Sequence, residues 1–125
     1  MAFTFSTALR SGRANAIQTD LGSGSKLQIW TTGYATKLAE WTWSAAAFPA
    51  TATGVLTMNA PTAAAVSPLA NGTAAIARHT KSDGTTVSVL DLTVGTSAAN
   101  VIVSNLVFAT TSPVTLADYT ITEAP

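Results

Sequence analysis

The sequence predicts a mainly β fold, an antiparallel β-sandwich or jelly-roll-like domain with one N-terminal helix. Three observations predict it. Several short runs alternate apolar and polar residues, clusters of Gly, Asn, Asp and Pro separate them at intervals, and only the first 22 residues carry helical spacing. A chain of 125 residues is the size of one ordinary domain, so 1–125 is expected as a single β-rich unit, with 1–22 as N-terminal arm and helix.

The elements follow in order. In the arm, "AFTF" alternates apolar and polar residues and suits addition of a strand to a partner's edge. From Thr7 to Leu21, Leu9, Ala16, Ile17 and Leu21 fall near one stripe, with Ser6 or Thr7 as N-cap and Gly22 as the stop. Gly12 and Asn15 weaken this helix, and so polar a helix must dock on something to persist. "GSGS" at 22–25 runs from a helix into a strand, the reverse of a phosphate-cradling loop, and reads as a joint. "KLQIW" alternates as a strand, and "LAEWTWSAAAF" (38–48) as another whose Trp41 and Trp43 share a face. "TGVLTMNA" offers a short strand, and "PTAAAVSPLANGT" (61–73) a surface loop in which Asn71-Gly72-Thr73 is a turn. "TAAIARHT" and "TVSVLDLTV" flank Ser82-Asp83-Gly84-Thr85, with Asp83 and Gly84 as the two structural turn residues of a type I′ hairpin. "NVIVSNLVF" and "VTLADYTIT" complete the set.

Composition narrows function. Six basic and six acidic residues balance, and charged side chains make up 10% of the chain against about 25% in a typical soluble domain. That leaves no electrostatic footprint for nucleic acid or an anionic membrane as partner. No apolar run approaches the about 18 residues a membrane span needs, and the start lacks the pattern of a secretory leader, so an aqueous compartment is expected. Cysteine is absent, which excludes disulfides and thiolate chemistry. Alanine and threonine exceed a third of the residues, and a surface of such side chains loses little rotamer entropy when covered. Association suits it.

The candidate chemistry gathers in "RHTKSDGTTVSVLDLTVG" (78–95), which holds the single histidine. A two-residue turn at Asp83-Gly84 pairs Arg78 with Val89, Ala77 with Leu90 and His79 with Ser88. Alternation then puts His79 and Asp91 on opposite faces and excludes a His–Asp dyad within the hairpin. Arg78 and Asp91 share a face as a diagonal ion pair. Ser88 opposite His79 is the residue pair a hydrolase would use, but a working triad needs a third group, and Asp83 is spent in the turn. His79 reads as a partly exposed residue near the hairpin end. No catalytic, cofactor or metal residues are assigned: one histidine and six scattered carboxylates show no ligand spacing. The aromatics Trp30, Tyr34, Trp41 and Trp43 suit core packing, a protein interface or a sugar platform; with Phe3 and Phe5 they form the candidate interface set.

The order of these parts, an N-terminal helix ending in Gly-Ser, "KLQIW" with a Thr-Gly loop, "GTAAIARHTKSDGTTVSVLDLTVGTSAANVIVSNLVF" and a final "VTLADYTIT", resembles the small virion structural proteins of tailed bacteriophages. The 61–73 loop and the paired tryptophans stand outside that pattern. The resemblance implies a β-sandwich or jelly-roll-like subunit, made in the host cytoplasm and located on the virion. There it would bind the major capsid protein at the outer capsid surface as a decoration (cement) protein, a homo-oligomer and specifically a trimer at local threefold positions, with no enzyme activity. Two other readings are a phage tail or head-to-tail component and a carbohydrate-binding module built on the surface aromatics.

Overall fold

The computed structural model describes residues 5–122. Helix α1 spans Thr7–Leu21, with Ser6 as N-cap accepting from the Leu9 N–H at 3.2 Å and Gly22, at φ 66°, closing the last turn. Both ends follow from local residue chemistry. The buried stripe differs from the expected one. It runs through Ser11, Ala14 and Leu21, with Ile17 partly covered, while Leu9 and Ala16 face outward. Small residues let the helix lie close to the sheet, and polar ties fasten it. Asn15 donates to the Thr51 carbonyl (3.1 Å) and accepts from the Thr51 N–H (2.9 Å), and Asp20 pairs with Lys81 at 3.1 Å.

The strands are β1 (Lys26–Trp30), β2 (Lys37–Thr42), β3 (Val55–Thr57), β4 (Ala65–Val66), β5 (Gly72–Thr73), β6 (Ile76–Thr80), β7 (Val87–Gly95), β8 (Val101–Val103), β9 (Val107–Phe108) and β10 (Val114–Thr122). A tight turn at Thr32–Tyr34 joins the first two. The molecule is therefore mainly β with one N-terminal helix, as expected. The principal sheet runs β2-β1-β6-β7-β8-β10-β3, with β4 also on β10, and curls into a half-barrel. It is mixed, because β7 and β8 run parallel over two residue pairs; β5 and β9 form a separate ribbon. The core inside the curl is built from Leu27, Ile29, Leu38, Trp41, Trp43, Phe48, Leu56, Phe108 and Tyr119.

Four expectations change. "NVIVSNLVF" divides into β8 and β9, and "LAEWTWSAAAF" stops being a strand at Thr42. The 61–73 loop contributes β4 and β5 to pairings with distant strands, which a local pattern of two residues cannot announce. The β6–β7 turn is longer than a type I′ pair: of Asp83 and Gly84 only Gly84 takes a positive φ (76°), and the connection closes through Lys81 N–H to the Thr86 carbonyl (2.9 Å). Asp83 organises it from its side chain: it accepts from the Thr86 hydroxyl and from the Thr85 and Thr86 N–H groups at 2.9 and 2.8 Å, and these bonds, the hydroxyl's foremost, hold its carboxyl down at about 2.

The pairing of Thr80 with Val87 matches the tight-turn register, but two irregularities then slip β7, giving His79 with Val89 and Ala77 with Leu92. Leu90 and Asp91 together bulge opposite Arg78, with Asp91 at φ 56°. Leu90 consequently leaves the core face and Leu92 occupies it.

Candidate functional site

Two constellations carry the polar chemistry, one on each face of the same strands. Alternation sends Leu27 and Ile29 of β1, Ala39 and Trp41 of β2, and Ala77 and His79 of β6 inward. Gln28, Glu40 and Arg78 point to the other side.

On the core face His79 is fully buried, not partly exposed. Its Nδ1 lies 2.9 Å from the Tyr119 hydroxyl and its Nε2 2.9 Å from Ser25 Oγ, so Ser25, His79 and Tyr119 form a buried chain linking the residue that precedes β1 to β6 and β10. A neutral imidazole offers one donor and one acceptor, which this pair of hydroxyls matches in either direction. Burial pushes the imidazole pKa down to about 3 and the Tyr119 phenol up. Trp43, Phe48 and Tyr119 surround the ring with centroids 5.4, 6.1 and 5.4 Å away. The Ser88 expected opposite His79 instead donates a hydrogen bond from its hydroxyl to the Asp20 carboxylate, on the helix side of β7. The hydrolase pair does not assemble.

Trp41 and Trp43 were interface candidates, and both are buried in the core. Each indole N–H donates to a carbonyl of the covering segment, Trp41 to Ala64 (3.0 Å) and Trp43 to Asn59 (2.8 Å), so they pin the chain that crosses them. Phe3 lies outside the described residues. Phe5 is half-buried, with the Arg13 guanidinium 4.9 Å above its ring.

The remaining two aromatics meet on the outer face. Trp30 and Tyr34 contact edge to face at 6.1 Å, and the Arg78 guanidinium lies 4.6 Å from the Trp30 ring and 5.4 Å from the Tyr34 ring. Gln28, buried under the β6–β7 loop, accepts from Arg78 Nε (3.1 Å) and Trp30 Nε1 (3.3 Å) and donates to Glu40 and the Gly84 carbonyl, each at 2.9 Å. Glu40 is also neutralised by Lys37 at 3.3 Å and Lys26 at 3.9 Å. The bulge turns Asp91 away from Arg78 and onto Tyr34. The Tyr34 hydroxyl accepts from the Asp91 N–H at 2.8 Å and donates to Asp91 Oδ1 at 3.0 Å. The expected Arg78–Asp91 ion pair is absent among the described residues.

Neither the Tyr119 partner of His79 nor the Gln28 bracket under Arg78 was foreseen. The second had a signal: pairing "KLQIW" beside "IARHT" in antiparallel register sets Gln28 against Arg78. Compared with protein-family models, curated proteins and solved structures, the chain matches none.

Proposed function

We propose that this chain is a bacteriophage capsid decoration protein, a homotrimeric cement that binds the outer capsid surface and stabilises the shell by bridging major capsid subunits, a structural rather than an enzymatic role. Support comes from the order of elements described above and from the character of the surface. The observation that carries the reading is that Leu9, Val55, Leu69, Leu90 and Val107 stand 39–64% exposed on a surface otherwise rich in Thr, Ser and Ala with few charges. Leu9 and Val55 flank the place where α1 meets β3, since Gly54 packs against Arg10. Such side chains give up little rotamer freedom on contact, and modest apolar patches become strong when a closed oligomer presents several copies at once.

The test is to mix the purified protein with capsids lacking it and measure co-sedimentation. Saturable binding at a fixed ratio to the major capsid subunit is expected, together with a trimer mass in solution or on the shell. Binding to tails with none to heads would refute decoration and select the tail reading.

A further inference from the structure

We propose that Arg78, with Trp30, Tyr34 and Asp91 around it, is a receptor for the carboxylate of an acidic saccharide. This goes beyond the decoration reading and stands without it. The guanidinium is preorganised. Two aromatic rings support it, and its Nε–H is fixed by a buried glutamine whose own amide is held at two further points. Arginine has five N–H donors, and that bond uses one, so the four on the Nη atoms have no acceptor among the described residues. A planar fork held in one orientation with its outer donors unspent fits a carboxylate in bidentate fashion.

The neighbouring charges select the ligand. Glu40 is matched by Lys26, Lys37 and Gln28, so it does not compete for Arg78. Asp91 is exposed, and only its Oδ1 is occupied, by Tyr34. An acidic peptide would set its further carboxylates, like charges, beside Asp91 and has only amide N–H groups to offer that oxygen. A sugar acid brings a carboxylate for Arg78, hydroxyl donors for the free Asp91 oxygen and a C–H face for the aromatic pair.

Backbone strain points to the same place. Tyr34 (φ 57°) and Asp91 (φ 56°) are two of three non-glycine residues with left-handed φ among the described residues, and they hydrogen bond to each other across this site. Strain held in place by surrounding structure concentrates at ligand sites.

The experiment is an NMR titration of the full chain with trigalacturonate and with N-acetylneuraminic acid, beside galactose and an acetylated tri-glutamate peptide. The Trp30 Nε1–H and Arg78 Nε–H signals should move saturably with at least one of the acids. The response to galactose and the peptide should be at least tenfold weaker. Arg78→Gln, and independently Arg78→Lys, which keeps the charge without the fork, should each weaken binding roughly tenfold or more. Failure of both acids to bind, equal binding of galactose, tighter binding of the peptide, or full retention of affinity in a folded Arg78→Gln chain would each overturn the proposal.

Discussion

Acid should unfold this protein through one buried histidine, well before its carboxylates take part. The His79 imidazole titrates at about 3 in the folded chain because burial disfavours its charged form, against 6.5 for an exposed histidine. The unfolded chain therefore takes up the proton first. The stabilisation from keeping His79 neutral is complete above pH 6.5 and is lost as pH falls from there toward 3. Each pH unit in that window is worth about 1.4 kcal/mol, so the loss reaches about 3 kcal/mol by pH 4.5 and about 5 kcal/mol at the lower end. A domain of ordinary stability has only about 5–15 kcal/mol in total. Asp20 and Asp83 are also shifted, but downward from 3.8, so they act below pH 4 and leave the window from 6.5 to 4.5 to the histidine. Urea denaturation at fixed protein concentration, at pH 7.5, 6.5, 5.5 and 4.5, measures the slope. His79→Gln, which can still bond the two flanking hydroxyls, should flatten it across this window. A wild-type stability that stays level from pH 6.5 to 4.5, or a His79→Gln variant with an unchanged slope, would show that His79 is not held neutral in the core.

Further expectations concern packing. Trp43→Ala removes the ring over His79 and the bond to Asn59, and should cost about 3–5 kcal/mol in denaturation, whereas an interface role would leave monomer stability nearly unchanged. Gly54→Ala places a Cβ 3.0 Å from Arg10 Cβ at a left-handed φ of 81°; a loss of about 1–3 kcal/mol is expected, with hydrogen exchange in α1 accelerating first. Asn15→Ala removes both bonds to Thr51 and should loosen the same helix by about 1–2 kcal/mol while leaving exchange in β1 and β6 unchanged.

Features decided by near neighbours in the chain were legible in the sequence. The helix ends at Ser6 and Gly22 follow from cap chemistry, and β1 and β6 follow from alternation. The sequence places a hairpin around Asp83-Gly84, but the turn is longer than the type I′ pair expected and the tight-turn register holds only at Thr80–Val87, because bulges in β7 answer to the core's need for Leu92 and not to the turn. That slip moved Leu90 outward and detached Asp91 from Arg78. The burial of His79 escapes the sequence for a related reason. A polar residue near a turn reads as exposed, and the hydroxyls that make its burial affordable lie 54 and 40 positions away, at Ser25 and Tyr119. Trp41 and Trp43 look alike as core or platform until their indole N–H groups are seen to meet the covering loop.

Imaging of a purified virion at subunit resolution tests the central claim most directly. A decoration role as proposed requires this chain to show as threefold density on the outer surface of the head, contacting neighbouring major capsid subunits. Density confined to the tail or the head-to-tail connection, or a mature particle that lacks the chain, would contradict it.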